Sequence, residues 1–306
     1  MLTRLDQLFE NVDKKPRHIV VAQAADIEVL KTVKAAEQEK KIATFTFIGD
    51  REKILPLADK CGLAITRERL VHICDEPAMA RQAVAMVRAG EADMPMKGLM
   101  QTGAFLRAVL DKEQGLRQGL LSELTVFERV WDGPGLQIAT CCAININPTL
   151  QEKMQIIANA VKLAGTLGFD KPRVAVLCAL EQVNPDMPET LDAAILSKMA
   201  ERGQIEGAII DGPFALDNAI SPAQVRHKSV PGPVAGQADI LLMSDIRMGN
   251  VFHKSLTYIA RKRVGIAVLG AKIPLLMNSR SDFPEDKLIS IALSLHILTA
   301  SSGQKA

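Results

Sequence analysis

Arg173-Val-Ala-Val-Leu177, Gly207-Ala-Ile-Ile-Asp211 and Asp239-Ile-Leu-Leu-Met243 decide the fold. Each is a short, nearly uninterrupted run of Val, Ile, Leu and Ala, the pattern of a strand buried on both faces. Similar runs occur at Arg17–Val21, Ala43–Ile48, Leu70–Ile73, Glu123–Phe127 and Val264–Leu269. Between them lie segments of helical period. Met154, Ile157, Val161 and Ala164 share one helix face, as do Leu288, Ile291, Ala292 and Leu295. Thr149-Leu-Gln-Glu152 has the form of a capping box, and Gly168 and Gly203 follow periodic runs as stop signals. Strand alternating with helix predicts an α/β protein with largely parallel sheets.

The chain of 306 residues suggests two domains at roughly 150 residues each. No repeat of fixed period and no low-complexity linker divides it. The best boundary is the uncharged, turn-rich stretch from Asp132-Gly-Pro-Gly135 through Asn145-Ile-Asn-Pro148. This predicts a first α/β domain of residues 1–140 plus 281–306, a second of 141–280, and a cleft between them. In α/β proteins ligands bind in such clefts and at strand carboxyl ends.

Composition excludes several classes. A net charge of +2 supplies no field that would select nucleic acid or an anionic membrane. Nine Phe, one Tyr and one Trp are too few for the stacking platforms of single-strand binders. Apolar residues at 48% and charged residues at 24% describe an ordinary globular chain. The start, Met1-Leu-Thr-Arg-Leu-Asp-Gln-Leu-Phe-Glu10, reads as a short amphipathic helix without the continuous apolar core of a secretory signal. The longest uncharged run, Gly133 to Gln151, contains prolines, glycines and amides and would not cross a bilayer. Five cysteines, an odd number with no C-x-x-C, argue against a disulfide framework or zinc site and for a cytoplasmic location.

The usual catalytic motifs are absent: no G-x-G-x-x-G, no P-loop, no G-x-S-x-G, no H-E-x-x-H. His18, His72, His227, His253 and His296 lack metal-ligand spacing. Instead, polar clusters follow the expected strands. Asp211-Gly-Pro-Phe214 with Asp217-Asn218 follows one, and Asp245 with Gly249-Asn250 another. Met96-Lys97-Gly98 opens an expected helix bearing Thr102 and Arg107. Asn278-Ser279-Arg280-Ser281-Asp282 follows the apolar run Ile273–Met277. Such residues also make ordinary turns and helix caps. A serine beside a guanidinium near a helix start is nevertheless a suitable oxyanion or phosphate cradle. Asp282 and Asp286, three and seven residues after Ser279, serve either as a base or as neutralisers of the helix N-terminus.

At these residues the chain resembles the phosphate acetyl/butyryltransferases. The resemblance is carried by Met96-Lys97-Gly-Leu-Met-Gln-Thr102-Gly-Ala-Phe-Leu-Arg107, Asn145-Ile-Asn-Pro-Thr-Leu150, Asp211-Gly-Pro-Phe-Ala-Leu-Asp-Asn218, Val234-Ala-Gly-Gln-Ala-Asp239, Gly249-Asn250 and Ser279-Arg280. It runs from about residue 15 to the end, and the Lys97-Gly98 and Ser279-Arg280-Ser-Asp282 variants are most like the phosphate butyryltransferase branch.

The resemblance implies reversible transfer of an acyl group, butyryl or branched short-chain in preference to acetyl, between coenzyme A and inorganic phosphate. It also implies two domains of the isocitrate/isopropylmalate dehydrogenase-like type, a cytoplasmic homodimer, coenzyme A as substrate, and no bound cofactor or metal. In that picture Arg280 and Arg107 hold phosphate, Ser279 stabilises developing charge, and Asp286 is the leading base with Asp282 its competitor. Lys97, Gly98, Thr102, Asn147, Asp211, Asp245 and Asn250 complete the substrate contacts.

Two departures stand out. Acetyl-type relatives read Asp-Leu-Ser-Arg-Gly-Cys where this chain has Met277-Asn-Ser-Arg-Ser-Asp282, and Cys141 replaces an aspartate that usually precedes the Asn-x-Asn-Pro segment. Cys141-Cys142 is either part of the site or a pair of core thiols. Two other readings remain, a metal- and NAD-dependent decarboxylating dehydrogenase of similar fold and a non-catalytic binder of acyl-CoA or acyl phosphate.

Overall fold

The computed structural model describes residues 1–12, 16–129 and 133–303. The chain divides into two compact units. Leu8–Gly119 with Gly265–Ala306 form one, here the N-terminal unit, and Met1–Gln7 with Leu120–Val264 form the other, the central unit.

The N-terminal unit is built on strands β1 (Arg17–Ala22), β2 (Ala43–Gly49), β3 (Leu70–His72) and β4 (Met94–Lys97). They form a parallel sheet of order β3-β2-β1-β4. Ile19, Val20, Val21 and Ala22 of β1 are fully buried, as an inner strand covered on both faces requires. Each of the first three strands turns into a helix capped by aspartate. Asp26 accepts the Val29 amide at 2.9 Å, Asp50 the Glu52 amide at 3.0 Å, and Asp75 the Ala78 amide at 2.8 Å. Such caps each stabilise a helix by about 1 kcal/mol and gather helix N-termini at the carboxyl edge of the sheet.

Strand β4 corrects the sequence reading, in which Met96-Lys97-Gly98 opens a helix. Met96 and Lys97 instead end a strand, and the helix begins at Thr102. Pro95 disguises it, because proline lacks the amide a ladder needs and is tolerated at a sheet's margin. The margin is extended by the 275–276 segment: Met96 forms a parallel bridge to Leu276, and the Lys97 amide donates to the Leu276 carbonyl at 2.8 Å.

In the central unit the strands are β5 (Arg117–Glu128), β6 (Leu136–Thr140), β7 (Arg173–Leu177), β8 (Ile209–Phe214) and β9 (Ile240–Leu242), in the order β5-β6-β9-β7-β8. The β5–β6 pair is antiparallel and the others parallel. The helix Leu150–Thr166 starts with the expected capping box at Thr149 and Glu152. Its buried face carries Ile156, Ile157, Ala160, Leu163 and Ala164, so Met154 and Val161 stand at the margin of the face that periodicity assigned.

The unit boundaries differ from the expected 140/141 and 280/281. The chain passes between units within β5 and at the start of β10 (Val264–Ala271). The turn-rich stretch after Gly133 lies wholly within the central unit: residues 133–135 precede β6, with the Arg129 amide on the Gly135 carbonyl at 2.8 Å, and residues 141–149 lead from β6 to the helix Leu150–Thr166. Asp132, at its start, lies outside the described residues. The first residues also belong with the central unit, through the Leu2 amide on the Leu167 carbonyl (2.8 Å) and the Leu5 amide on Glu128 (3.0 Å). A second shift concerns β8, which runs through Asp211-Gly-Pro-Phe214 where that cluster was expected to follow the strand.

Candidate active site

Within the N-terminal unit, two backbone segments meet beyond the end of β1. The Gly98 amide donates to the Ala22 carbonyl and the Leu99 amide to the Gln23 carbonyl, both at 2.8 Å. The approach is so close that a Cβ at position 98 would lie 2.1 Å from the Gln23 oxygen. Gly98 is there because nothing larger fits. Lys97, just before it, is 6% exposed, and its ammonium has only long contacts to the carbonyls of Gly98 (3.4 Å) and Met100 (3.5 Å).

The second segment is the turn at 278–282. The Ser279 amide donates to the Asp282 carboxylate at 2.8 Å, and Asn278 Nδ2 reaches the same oxygen at 3.4 Å and Ser290 Oγ at 3.1 Å. Ser290 Oγ also accepts the Ile266 amide at 2.8 Å and donates to the Asp286 carbonyl at 2.6 Å. Asn278 is thus locked into the core, while Ser279 and Arg280 remain exposed.

Between these segments lies a cavity of about 50 Å³, lined by Met96, Lys97, Gly98, Leu99, Asn278, Ser279, Arg280 and Lys287 together with Asp26, Glu28 and Val29. At roughly 10–15 Å³ per accommodated water, it has room for a few waters or one small oxyanion. Three cations, Lys97, Arg280 and Lys287, against the two carboxylates of Asp26 and Glu28 make the lining net positive, which favours the latter. The Lys97 ammonium titrates below its ordinary value, first because it is buried and next because Arg280 and Lys287 repel it; Asp282 and Glu76 pull the other way.

The remaining expected residues of this unit are arranged differently. Thr102 and Arg107 are exposed on the helix Thr102–Val109 and do not line the cavity. Neither candidate base borders it: Asp282 is 7% exposed and engaged by the Ser279 turn, and Asp286 is 2% exposed in the first turn of the helix Pro284–Gly303. Asp26 and Lys287 line it although the sequence reading missed both. Asp26 is legible only as a helix cap. Lys287 sits among ordinary first-turn residues, and no spacing marks it.

In the central unit, the loop from Cys141 to Asn147 packs against the helix Ile246–Lys254. Gly249 makes this possible, since a Cβ there would lie 2.3 Å from the Cys141 carbonyl oxygen. Asn250 Nδ2 donates to the Cys142 carbonyl at 3.4 Å, and the Ile246 amide to Ile146 at 3.2 Å. Asp245 caps that helix, accepting the Arg247 and Met248 amides at 2.8 and 3.1 Å. Its ion pair with Arg247 leads in holding its carboxyl below the usual range. Asn147 is exposed in the same loop.

Asp211 stands apart from this group, on β8, which β7 separates from β9. Burial raises its carboxyl, against the Gly212 amide (2.8 Å) and Ser197 Oγ (3.4 Å), and it borders two cavities of about 390 and 560 Å³. Cys141 and Cys142 are core thiols: both are buried, which pushes Cys141 up to about 11 and Cys142 well above the ordinary thiol value.

One group of possible metal ligands appears among the described residues, Asp50, His72 and Cys74, with ligand atoms within 4.8 Å of one another. His72 Nδ1 already accepts the Arg51 amide at 3.1 Å. A neutral ring that accepts there carries its proton on Nε2, the nitrogen facing Cys74 at 3.8 Å, so the arrangement is a poor cation site.

Comparison with known proteins agrees with this chemistry. A match to the family described as phosphate acetyl/butaryl transferase spans residues 66–295. Phosphate butyryltransferase of Clostridium beijerinckii is 44% identical over 297 residues, covering 96% of this chain and 97% of its own. Phosphate acetyltransferase of Thermotoga maritima is 38% identical over 290 residues, covering 95% and 98%. The crystal structure of a branched-chain phosphotransacylase from Enterococcus faecalis superimposes with a TM-score of 0.79 at 32% identity, over 92% of this chain and 99% of that one. A full-length relationship at these identities, with Lys97, Ser279 and Arg280 gathered at one anion-sized cavity, makes this chain a transferase of the phosphate acetyl/butyryl transferase family.

Proposed function

We propose that the chain catalyses acyl-CoA + phosphate ⇌ acyl phosphate + CoA on a short acyl group, butyryl or branched in preference to acetyl. The observation that carries this is the cavity of the N-terminal unit, where a buried lysine with a depressed pKa, a serine hydroxyl and an exposed guanidinium line a space for one oxyanion. A phosphate oxygen attacks the thioester carbonyl, the C–O bond forms, the C–S bond breaks, and the departing thiolate takes up a proton as CoA. Lys97 and Arg280 hold the phosphoryl oxygens, and Ser279 donates to charge developing at the reacting centre. In the reverse direction a thiol of pKa about 8.5 must lose its proton. Asp282 supports the Ser279 turn and acts as a positioning residue; Asp286, the proposed proton acceptor, rests on the family resemblance, seven residues beyond Ser279.

The substrate contacts assigned to Thr102, Arg107, Asn147, Asp211, Asp245 and Asn250 rest on the family resemblance, as do the cytoplasmic location and the homodimer. No described helix is long and apolar enough to cross a membrane. Light scattering of the purified chain tests the dimer.

Similarity to the butyryltransferase and the branched-chain enzyme supports the acyl preference; the 38% identity to an acetyltransferase supports acetyl as the second reading. The test is release of CoA from acetyl-, butyryl- and isobutyryl-CoA, with and without phosphate, followed with a thiol reagent. Phosphate-dependent release, fastest with butyryl- or isobutyryl-CoA, is expected. Release that ignores phosphate would make the chain a thioesterase, and no release from any substrate would make it a binding protein.

A further inference from the structure

Lys287 lies in the first turn of the last helix and is 4% exposed. Among the described residues its ammonium pairs with no carboxylate and donates no hydrogen bond to a protein group. It is not sealed in the core either. It lines the same cavity as Lys97 and Arg280. A buried ammonium without a counter-charge is costly to a folded protein. Here the cost is compounded, because Lys287 and Arg280 both repel the Lys97 ammonium. Three cations, Lys97, Arg280 and Lys287, line one small cavity with two carboxylates, and both carboxylates are engaged elsewhere, Asp26 on the Val29 amide and Glu28 on Lys31.

We infer that Lys287 is a direct ligand of the substrate's phosphoryl oxygens, the third cation of a cradle shared with Lys97 and Arg280, matched to a dianionic phosphate. The inference deepens the phosphotransacylase reading and rests on it for the identity of the anion. A structural role would make a different prediction. If the aliphatic stem were what mattered, methionine would replace it in the core and phosphate would not notice.

The test compares wild type with K287M, K287Q and K287R by two readouts, thermal melting with and without inorganic phosphate, and KM for phosphate and acyl-CoA separately. Without phosphate, K287M should melt at or above the wild-type temperature, since a buried charge has been removed. It should lose most of the phosphate-induced rise that wild type shows. Its KM for phosphate should rise by ~10–100-fold, the usual range for a lost charged hydrogen bond, while KM for acyl-CoA stays within about threefold. K287R should keep most of the phosphate affinity and K287Q should follow K287M.

Wild-type phosphate KM and wild-type phosphate stabilisation in K287M and K287Q would overturn the inference. So would a drop in melting temperature without phosphate, with both KM values unchanged. If wild type releases no CoA from any acyl-CoA, the transferase reading fails, but the phosphate melting shift still decides whether Lys287 binds the anion.

Discussion

Replacing Gly98 by alanine is the sharpest test of how the site is built. The added Cβ would sit 2.1 Å from the Gln23 carbonyl oxygen and 2.8 Å from that of Ala22, against both of which the 98–99 backbone is hydrogen-bonded at 2.8 Å. Relief requires the strand end to withdraw by about 1 Å, since carbon–oxygen contacts below about 3 Å are not tolerated. That breaks two hydrogen bonds worth about 0.5–1.5 kcal/mol each, and leaving their groups buried and unpaired adds about 1–3 kcal/mol. The expected loss is therefore ~2–6 kcal/mol, a large share of the ~5–15 kcal/mol that holds a domain together. The displacement also drags Lys97, whose ammonium is held only by carbonyls of the same loop, so phosphate KM should rise with it. The control is Gly103→Ala on the neighbouring helix. Its Cβ would find only Arg107 Nη1, at 3.6 Å, and helix propensity should stabilise it by about 0.5–1 kcal/mol. Urea unfolding followed by circular dichroism, with phosphate kinetics on the same preparations, measures both. A G98A protein within about 0.5 kcal/mol of wild type, a range usual for neutral surface changes, would refute the close approach on which this account of Lys97 depends.

Other perturbations separate charge from architecture. Arg280→Ala removes an exposed guanidinium, so the melting temperature should hold while phosphorolysis falls by ~30–1000-fold; wild-type-like turnover would end its phosphate role. Asp282→Ala should loosen the Ser279 turn, costing about 1–3 kcal/mol of stability along with phosphate affinity. Asp286→Asn should keep phosphate affinity and remove the acid-side limb of the pH–rate profile; a wild-type profile in Asp286→Asn would dismiss it as the base. Lys97 gives a signed pH effect. Its folded-state pKa lies below the 10.5 of the unfolded chain, so between the two the unfolded state binds more protons and stability rises with pH. The penalty is complete below the lowered value. Melting curves taken from neutral pH upward should therefore climb less in Lys97→Met than in wild type; parallel curves would show that no such penalty exists.

What could be read from the chain depended on how far each signal was local. Strands β1, β2 and β7 were legible because inner strands of a parallel sheet are apolar on both faces. Strands β4 and β6 were not. The first contains Pro95. The second places Gln137 between turn-forming flanks, its polarity satisfied by a 2.8 Å bond to the Ala238 carbonyl that no local pattern announces. The compact units divide at other residues than the turn-rich stretch suggested for a related reason, since glycine and proline mark a bend in the chain without saying whether it separates domains or strands. Ser279 and Arg280 stood out because a hydroxyl beside a guanidinium has a chemical meaning on its own. Asp282 and Asp286 could not be separated by spacing, since both fall within reach of a first helical turn. The Ser279 amide on the Asp282 carboxylate ties Asp282 to the turn.

Lys287 is the extreme case. In sequence it is one more charged residue after Pro284-Glu-Asp, and its meaning arises when the last helix sets it beside the end of β4. A cation is informative when the fold denies it a partner, and that denial is a property of the packed unit. The same argument orders the site's residues by function. Gly98 is bonded to the Ala22 carbonyl, Asn278 to the Asp282 and Ser290 side chains, and Asp282 to the Ser279 amide, so these residues shape the cavity. Lys97, Arg280 and Lys287 have no such engagement adequate to their charge, so they are the groups that a phosphate dianion would complete.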